Sequence, residues 1–293
     1  MLHRDKEEFL KILKRTSAQT GFPLRLLEKD YYITILLSNI HKWLSDELIL
    51  KGGTCLNKVY YFYYRLSEDL DFTIKLPKAN LTRTIRRKTI QPIKESVGSF
   101  AKKIEMTIIN PEKAGHDESK QYIYYFSYPS VVLKGGESVK FEIGLRFNPL
   151  LPVEKKDINH KFLHPFTKEP LFNTSKVLCL SLQELVAEKM RAACTRRIIA
   201  ARDFYDLGYL IERQFDFKGK EFLSIFKKKL EEDGFSTDLK NYKYNLGRNE
   251  VEINDMKLRL KDELFPVLTV NARKNFDIQK VLDRFNKIFE DIQ

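Results

Sequence analysis

Polar and apolar residues alternate from Asp69 to Leu76, a period of two that is typical of a half-buried β-strand. Asp69 and Asp71 are two positions apart, so their side chains point to the same face of that strand. Leu70 and Phe72 are apolar and anchor the opposite face in a core. The pattern therefore predicts two carboxylates that are held side by side on a fixed strand.

A short apolar run, Leu48 to Leu50, precedes this strand and leads into the sequence Gly52-Gly53-Thr54. The run predicts a strand, and the segment from Thr54 to Tyr64 predicts a helix. Glycines let backbone N–H groups approach a phosphate closely, and a helix N-terminus favours an anion. An isolated Gly-Gly-Thr sequence is equally compatible with an ordinary turn, so its meaning depends on the carboxylates that follow it.

The same alternation recurs from Ser138 to Phe147, which predicts another strand. Glu142 lies in the middle of its polar face. If this strand is adjacent to the first, Glu142 is a third carboxylate beside the aspartate pair. A third acid in such a position helps to hold a metal or accepts the proton of an attacking hydroxyl. The alternative is a surface acid that pairs with Lys140 or Arg146.

The pair Asp69 and Asp71 is repulsive unless a cation lies between the two carboxylates. Ligand sets made of oxygen atoms suit Mg²⁺ or Mn²⁺. A phosphate-binding turn followed by a metal-binding strand is an arrangement for moving a phosphoryl or nucleotidyl group. We therefore expect Mg²⁺ or Mn²⁺ as cofactor and an NTP as substrate. The alternative is a solvated strand face without a ligand.

Patterns in the rest of the chain predict helices, then strands, then helices again. Helical patterns cover residues 5–15, 22–44, 79–103, 222–230, 258–264 and 281–292, and strand patterns cover 104–109, 121–132 and 177–180. Pro149, Pro152 and Pro165 indicate an irregular connection over residues 148–175. We therefore predict an α/β domain over residues 1–175 and a mainly helical domain over residues 176–293 that completes the substrate cleft.

Ser181 begins a predicted helix with the capping-box sequence Ser-Leu-Gln-Glu. Lys189 lies on the apolar stripe of this helix, where an ammonium group is costly without an anionic partner. A nucleoside triphosphate is one such partner. A structural salt bridge to Glu142 or to an aspartate is a second possibility, and a side chain that extends to solvent is a third.

Composition adds a possible partner and a compartment. Of the 293 residues, 52 are Lys or Arg and 40 are Asp or Glu, so that the formal net charge is +12. This excess favours a polyanion such as RNA or DNA, although a Lys-rich proteome also produces basic proteins without that role. The 3 cysteines and 5 histidines lack disulfide or zinc spacing. Without a signal sequence or an apolar run of membrane-spanning length, we expect a cytoplasmic protein with no membrane partner.

Several motifs, in this order, resemble those of the AbiEii/AbiGii toxin family, which comprises nucleotidyltransferase-like proteins of phage-defence and type IV toxin–antitoxin systems. The motifs are Glu28-Lys29-Asp30-Tyr31-Tyr32-Ile33-Thr34, Lys51-Gly52-Gly53-Thr54, Arg65-Leu66-Ser67-Glu68-Asp69-Leu70-Asp71-Phe72, Glu188-Lys189, Arg196 and Ala201-Arg202-Asp203-Phe204-Tyr205-Asp206-Leu207. The resemblance implies a minimal nucleotidyltransferase fold similar to that of polymerase β. Such a fold is α/β, with a small mixed sheet, flanking helices and, in this chain, a helical C-terminal domain.

The resemblance also implies an activity and partners. A nucleoside monophosphate would pass from an NTP to a hydroxyl, with a tRNA end as acceptor and a cognate antitoxin as protein partner. Lys189 would contact the nucleotide phosphates, Asp203 would be needed for activity, and Arg196 or Arg202 would contact phosphate or RNA. The charged turn Glu28–Asp30 would support the acidic strand; the alternative for that turn is a solvated helix face.

These expectations define one site and leave two other functions open. The metal is assigned to Asp69, Asp71 and Glu142, and the triphosphate to Gly52, Gly53, Thr54 and Lys189. The three metal-site acids should converge with Lys189 and Asp203 in one cleft. One alternative is a kinase-like transfer of the γ-phosphoryl group from the same site. The other is an inactive nucleic-acid-binding or protein-binding module of this fold.

Overall fold

A computed structural model of the chain describes residues 1–77, 82–109, 111–242 and 248–290. In it, the strand that carries Asp69 and Asp71 lies near the middle of a mixed eight-stranded β-sheet. The strands are β1 (Leu48–Lys51), β2 (Asp69–Ile74), β3 (Thr107–Ile109), β4 (Gly115–His116), β5 (Gln121–Pro129), β6 (Gly136–Gly144), β7 (Glu154–Asp157) and β8 (Lys176–Cys179). Their order is β3-β5-β6-β2-β1-β8-β7, and β4 pairs with β5. β2 is antiparallel to β1 and parallel to β6, which brings distant parts of the chain together.

Buried apolar side chains fix the register of the two central strands. Leu70 and Phe72 of β2 and Phe141 and Ile143 of β6 are fully buried. The rings of Phe72 and Phe141 stack with their centroids 4.8 Å apart. A shift of one residue would move these side chains to the opposite face, so the apolar pattern sets the position of every polar side chain on β2 and β6.

Helices α1 (Lys6–Thr20), α2 (Leu24–Trp43), α3 (Gly52–Cys55) and α4 (Arg83–Lys103) belong with the sheet to a first compact unit, Met1–Leu180. α1 is capped at its start by Asp5, whose side chain accepts the Glu8 N–H, and is terminated by Gly21 in the left-handed conformation. α2 is buried on nearly every side, with Leu27, Ile33 and Leu36 fully inaccessible to solvent. It therefore forms part of the core rather than a surface helix.

The prediction of one helix over Thr54–Tyr64 is wrong beyond Tyr60. α3 continues as a π-helical turn over Leu56–Tyr60 and the chain then bends. Phe62 and Tyr63 have φ values of 48° and 71°, a region that aromatic residues seldom adopt. Tyr63 is 7 % exposed, so contacts of its buried side chain outweigh the local helical preference.

Other boundaries differ more modestly from the predictions. Residues 148–175 contain strand β7, whose sequence Glu-Lys-Lys-Asp has no apolar alternation that would have revealed it. The helix predicted over 79–103 begins at Arg83, and its predicted residues 79–81 lie outside the described part of the chain. The strand predicted over 121–132 ends at Pro129, because proline ends the regular pairing of an inner strand.

The second compact unit, Ser181–Gln293, contains helices and connecting turns but no strand among its described residues. Its helices are α5 (Leu182–Thr195), α6 (Ala201–Glu212), α7 (Lys220–Glu232), α8 (Glu250–Glu263), α9 (Val270–Asn275) and α10 (Ile278–Glu290). Gly208 permits a close approach of α6 to α10, since a Cβ there would lie 2.8 Å from a methyl of Val281. β8, which the predicted boundary at residue 175 assigned to this half, pairs with β1 in the sheet of the first unit.

None of the helices in the described ranges is both long enough and apolar enough to cross a bilayer.

Candidate active site

Three carboxylates lie on neighbouring positions of β2 and β6. Asp71 is directly opposite Glu142 in the parallel register, and Asp69 is opposite Lys140. All of these side chains alternate with buried apolar residues and so share the polar face of the sheet. Glu142 therefore stands beside the aspartate pair, as the prediction of a third acid requires.

Two lysines flank the carboxylates, and neither was among the predicted site residues. Lys51 is opposite Asp71 on the other side of β2, at the end of β1. The ammonium of Lys140 lies 2.7 Å from Oε2 of Glu142 on the same strand. The alternative proposed for Glu142, a pair with Lys140, is thus present in the structure. The sequence contained a signal for both lysines. Lys51 belongs to the Lys-Gly-Gly-Thr motif, and Lys140 shares the polar face of its strand with Glu142.

The electrostatics of Asp71 reflect this arrangement. Burial among protein atoms raises the pKa of its carboxyl from 3.8 to about 6. Lys51 and Lys140 oppose this increase, whereas the negative charges of Glu142 and Asp69 add to it. The carboxylate cluster therefore carries negative charge at an electrostatic cost that a bound cation would relieve.

The Gly52-Gly53 turn lies directly against the acidic strand. Gly52 has a φ of +71°, and a Cβ at this position would lie 2.5 Å from Oδ2 of Asp71. A Cβ on Gly53 would lie 2.6 Å from a terminal nitrogen of Arg65. No residue other than glycine fits either position without displacing a charged group, so the turn brings bare backbone to Asp71 and Arg65.

Thr54 links the turn to the acid pair. Its side chain is fully buried, and its hydroxyl donates a 2.5 Å hydrogen bond to the backbone carbonyl of Asp69. In this structure the Thr54 hydroxyl therefore positions β2, and a phosphate contact of this residue would use its backbone N–H.

Arg65 follows the bend at Phe62 and Tyr63 and was not among the predicted site residues. Its side chain is 2 % exposed, and one nitrogen donates to the carbonyl of Leu66 at 2.7 Å. Its guanidinium also lies 5.7 Å from the ring centre of Tyr64. A buried, permanently charged guanidinium beside Gly53 makes the turn electropositive next to the negative strand.

The donor set fits a hard divalent cation of the Mg²⁺ type. Across the described ranges, no three His, Cys, Asp or Glu side chains form a ready-made metal cage. Mg²⁺ is usually held by one or two carboxylates together with substrate phosphates, and Asp69 and Asp71 supply that number. Because Lys140 engages Glu142, ligation by Glu142 stays a prediction.

Three predicted residues of the second unit, Lys189, Arg196 and Asp203, form a charged cluster within that unit. The ammonium of Lys189 lies 2.9 Å from Oδ1 of Asp203 and 3.0 Å from Oδ2 of Asp206. Arg196 lies 2.8 Å from the other oxygen of Asp203. The salt bridge to an aspartate, one of the alternatives for Lys189, is therefore what the structure contains. Asp206 was not singled out, although its i+3 spacing from Asp203 puts both on one face of α6.

Arg202 points to a different partner within the second unit. Its Nε donates to the backbone carbonyl of Glu263, the last residue of α8, at 2.5 Å. A cation at the C-terminus of a helix is favourable because the last carbonyls are electronegative. Convergence of Lys189 and Asp203 with the acids of the first unit stays a prediction, and so do the phosphate contacts of Arg196 and Arg202.

The charged turn of α2 is buried rather than solvated, so the alternative of a solvated helix face is wrong for Glu28 and Asp30. Both are 0 % exposed. The Glu28 carboxylate accepts hydrogen bonds from the Ser130 hydroxyl at 2.5 Å and from the Val131 N–H at 2.6 Å. Lys29 lies 3.7 Å from Glu68, the residue before β2. The signal was that α2 is apolar around most of its circumference, which leaves no solvated face.

Comparisons with known proteins agree with this arrangement. A protein-family model described as "Nucleotidyl transferase AbiEii toxin, Type IV TA system" matches residues 35–291. The fold is similar to that of MenT4, a nucleotidyltransferase toxin of Mycobacterium tuberculosis, with a TM-score of 0.57, 17 % identity and coverage of 97 % of both chains.

Two structures from Helicobacter pylori also share the fold. They are a putative nucleotidyltransferase and JHP933, each with a TM-score of 0.52 and 17 % identity over 92 % of this chain. The alignments cover 94 % and 93 % of those two chains, respectively. A search of curated proteins gave no match.

Proposed function

The chain belongs to the AbiEii family of nucleotidyltransferase toxins of type IV toxin–antitoxin systems, and we propose that it transfers a nucleoside monophosphate from an NTP to a hydroxyl of tRNA. The observation that carries this proposal is the contact between turn and strand. Gly52 leaves no room for a side chain against the Asp71 carboxylate, so a nucleotide phosphate at the turn would adjoin the acid pair. Such adjacency is what phosphorus chemistry assisted by a divalent cation requires.

Asp69 and Asp71 would hold Mg²⁺ or Mn²⁺. When bound, the cation neutralises phosphate charge and stabilises the attacking and leaving oxygens of an in-line displacement. The side chains of this strand need little reorganisation to do so, because Leu70 and Phe72 fix the strand in the core. Holding reacting groups in a fixed geometry is itself a large part of catalysis by such sites.

The turn and the basic side chains would bind the triphosphate. The backbone N–H groups of Gly53 and Thr54 would contact the β- and γ-phosphates, and Lys189 would neutralise part of their charge. To reach a phosphate, Lys189 would exchange at least one of its two aspartate partners for it. Asp203 would hold Lys189 and Arg196 ready for that exchange.

The reaction joins the acceptor oxygen to the α-phosphorus and breaks the bond between that phosphorus and the bridging oxygen, so pyrophosphate leaves. The proton of the acceptor hydroxyl passes to a carboxylate, for which Glu142 is our candidate, since it stands directly beside Asp71. The Lys140 ammonium would then lose its ion-pair partner as Glu142 accepts the proton.

The surplus of 52 basic over 40 acidic residues supports an RNA acceptor, because neutralised phosphates provide much of the affinity for nucleic acid. A cognate antitoxin is the expected protein partner of a toxin from a type IV system. We place the reaction in the cytoplasm, where NTPs and tRNA are available.

Incubation with α-labelled NTPs, Mg²⁺ and total tRNA tests the proposal. We expect label on tRNA with the native protein, and a loss of at least about 10³-fold with Asp71→Asn, because a preorganised charged group is removed. Asp157→Asn is the matched control, since this β7 aspartate has a side chain that is 78 % exposed. It should transfer label at the native rate.

The position of the label separates the competing activities. Transfer from γ-labelled but not α-labelled NTP would replace the proposal with a kinase-like reaction. Absence of transfer from either, together with absence of Mg²⁺-dependent NTP binding by calorimetry, would leave a binding module.

A further inference from the structure

The ammonium group of Lys58, a buried lysine of the first unit, contacts oxygen atoms of three neighbouring side chains. Lys58 is 1 % exposed and its ammonium lies 2.8 Å from Oδ1 of Asp30, which is fully buried. The same ammonium donates to the hydroxyl of Thr34 at 2.8 Å and to that of Tyr63 at 2.5 Å. The Tyr63 hydroxyl in turn donates to Oδ2 of Asp30 at 2.7 Å. The four side chains form a closed network, which we call the loop clamp.

The loop clamp holds a strained part of the backbone. Phe62 and Tyr63 both have left-handed φ values, 48° and 71°. Such conformations cost of order 1–3 kcal/mol each for residues other than glycine and persist only when surrounding contacts impose them. Phe62 is 59 % exposed and offers few contacts. Tyr63 is buried, and its hydroxyl accepts a hydrogen bond from Lys58 and donates one to Asp30. The Tyr63 hydroxyl is therefore the group that keeps the bend in place.

The bend lies between the two halves of the candidate active site of the first unit. It follows the Gly52-Gly53 turn and its helical continuation, and it precedes Arg65, whose guanidinium lies against Gly53. Asn159 adds a further attachment, because its N–H and its side-chain amide both donate to the carbonyl of Lys58. The path from the turn to the acidic strand is thus anchored at Lys58 and at Tyr63, and both anchors end on α2.

We propose that the loop clamp sets the position of the Gly52-Gly53 turn and Arg65 relative to Asp69 and Asp71, and that Tyr63 is a positioning residue of the transfer reaction. The inference rests on the proposed function and identifies a determinant of it that lies outside the catalytic groups. The four side chains of the loop clamp are at most 7 % exposed, and their polar atoms contact one another in the core.

Stability alone does not account for a network of this kind. Desolvation of a buried ion pair can exceed its Coulombic gain, and well-packed apolar residues of equal volume are often as stable or more stable. Burial lowers the pKa of Lys58, and the charge of Asp30 opposes that change. Hydrogen bonds are directional, whereas apolar contacts are not. The polar network can therefore fix one path of the backbone, which an apolar cluster of equal volume could not do.

The test compares Tyr63→Phe with Tyr124→Phe. Both substitutions remove one buried hydroxyl and keep the ring, and both residues lie in the first unit. The Tyr124 hydroxyl has no hydrogen-bond partner among the described residues, so its loss is a matched control. We expect Tyr63→Phe to lower kcat by about 10–100-fold with KM for NTP within about threefold, because misplacement by about 1 Å costs up to 10²-fold. Tyr124→Phe should change neither constant.

Hydrogen exchange provides a readout that does not depend on turnover. In Tyr63→Phe the amides of residues 61–66 should exchange faster than in the native protein, while those of β5 and β6 are unchanged. The inference is overturned if Tyr63→Phe has both the native kcat and the native exchange rates. It is also overturned if the loss of kcat is fully explained by a larger unfolded fraction of the variant. Thr34→Val, which removes one bond to Lys58, should act in the same direction with a smaller effect and serves if Tyr63→Phe does not fold. If the native protein transfers no label, the proposed function fails, while the exchange comparison still decides whether the loop clamp holds the bend.

Discussion

The two charged clusters assigned to the candidate site differ in how their charges balance. On the sheet of the first unit, three carboxylates (Asp69, Asp71 and Glu142) are neighbours of two lysines, Lys51 and Lys140. On the helices of the second unit, Asp203 and Asp206 are matched by Lys189 and Arg196 in direct salt bridges. Among these residues the first cluster has one more acidic than basic side chain, whereas the second has equal numbers of each.

This difference indicates how each cluster would respond to a ligand. Burial raises the pKa of Asp71, repulsion from the neighbouring carboxylates adds to that increase, and a cation would relieve both. A balanced cluster gains nothing from an added charge unless a partner is exchanged, so phosphate binding by Lys189 must compensate for weakened salt bridges. Removal of a carboxylate from the first cluster should therefore increase the free energy of unfolding of the protein. Removal of the lysine from the second cluster should decrease it.

The largest effect is expected for Lys189→Met. This substitution leaves Asp206, which is 0 % exposed, without the ammonium that neutralises it. Removing one partner of a buried ion pair typically lowers the free energy of unfolding by about 3–5 kcal/mol. Urea denaturation followed by circular dichroism measures the change.

Two further variants control this experiment. Lys227→Met removes an exposed lysine from α7 and should change the free energy of unfolding by no more than about 0.5 kcal/mol. Lys189→Met combined with Asp206→Leu should recover most of the lost stability, because the buried carboxylate is then removed together with its ammonium partner. Native stability of the single Lys189→Met variant would contradict the balanced description of this cluster.

A smaller effect of opposite sign is expected for Asp71→Asn. The carboxyl of Asp71 has its pKa raised from 3.8 to about 6, and each pKa unit corresponds to about 1.4 kcal/mol. At pH 7 the variant should therefore be more stable than the native protein by at most about 3 kcal/mol. Urea denaturation in the presence of EDTA measures this in the absence of metal.

The dependence on pH identifies the cause of that effect. Because the folded protein binds the proton more tightly than the unfolded chain, protonation of Asp71 stabilises the fold as the pH falls. The native protein should gain stability relative to Asp71→Asn from about pH 6 down to about pH 4, where the difference should vanish. A difference between the two proteins that is constant over this range would show that the Asp71 charge is not its origin.

The smallest effect is expected for Lys140→Met, which increases the negative surplus of the first cluster by releasing Glu142. Mn²⁺ binding in the absence of NTP should tighten by about fivefold to tenfold, which corresponds to about 1 kcal/mol. Isothermal titration calorimetry measures it. Lys155→Met is the control, since this lysine is exposed on β7. Weaker Mn²⁺ binding by Lys140→Met would mean that Lys140 supports the metal site rather than competing for Glu142.

Periodicity predicted those features of the fold that depend on burial of one face. The alternation around Asp71 and around Glu142 identified two strands and placed their acids on the polar face. The same reasoning located α2 and α5, because each has a long apolar pattern. The predicted class, a mixed α/β sheet with flanking helices, is confirmed by the shared fold of the nucleotidyltransferase structures.

Features that depend on contacts between distant residues could not be predicted in this way. The end of the helical turn at Tyr60 is imposed by Tyr63, whose hydroxyl donates to Asp30 on the distant helix α2. Strand β7 is charged and forms an edge through its pairing with β8, without an apolar pattern of its own. The sequence left a triphosphate, Glu142, an aspartate and solvent open as partners of Lys189, and spacing alone could not select Asp206.

The position of β2 in the middle of the sheet also determines how late in translation the sheet can be completed. β1 and β2 are translated early, but β2 lacks its outer neighbour until β6 ends at residue 144, and β1 lacks its outer neighbour until β8 ends at residue 179. At translation rates of about 5–20 residues per second, this interval lasts roughly 5–20 s. Glu142 joins the acid pair only within that interval, and Lys189 and Asp203 are translated after it. A chain released early therefore lacks some of the residues proposed for the site, and the full predicted set is present only after residue 203 of the 293 has been translated.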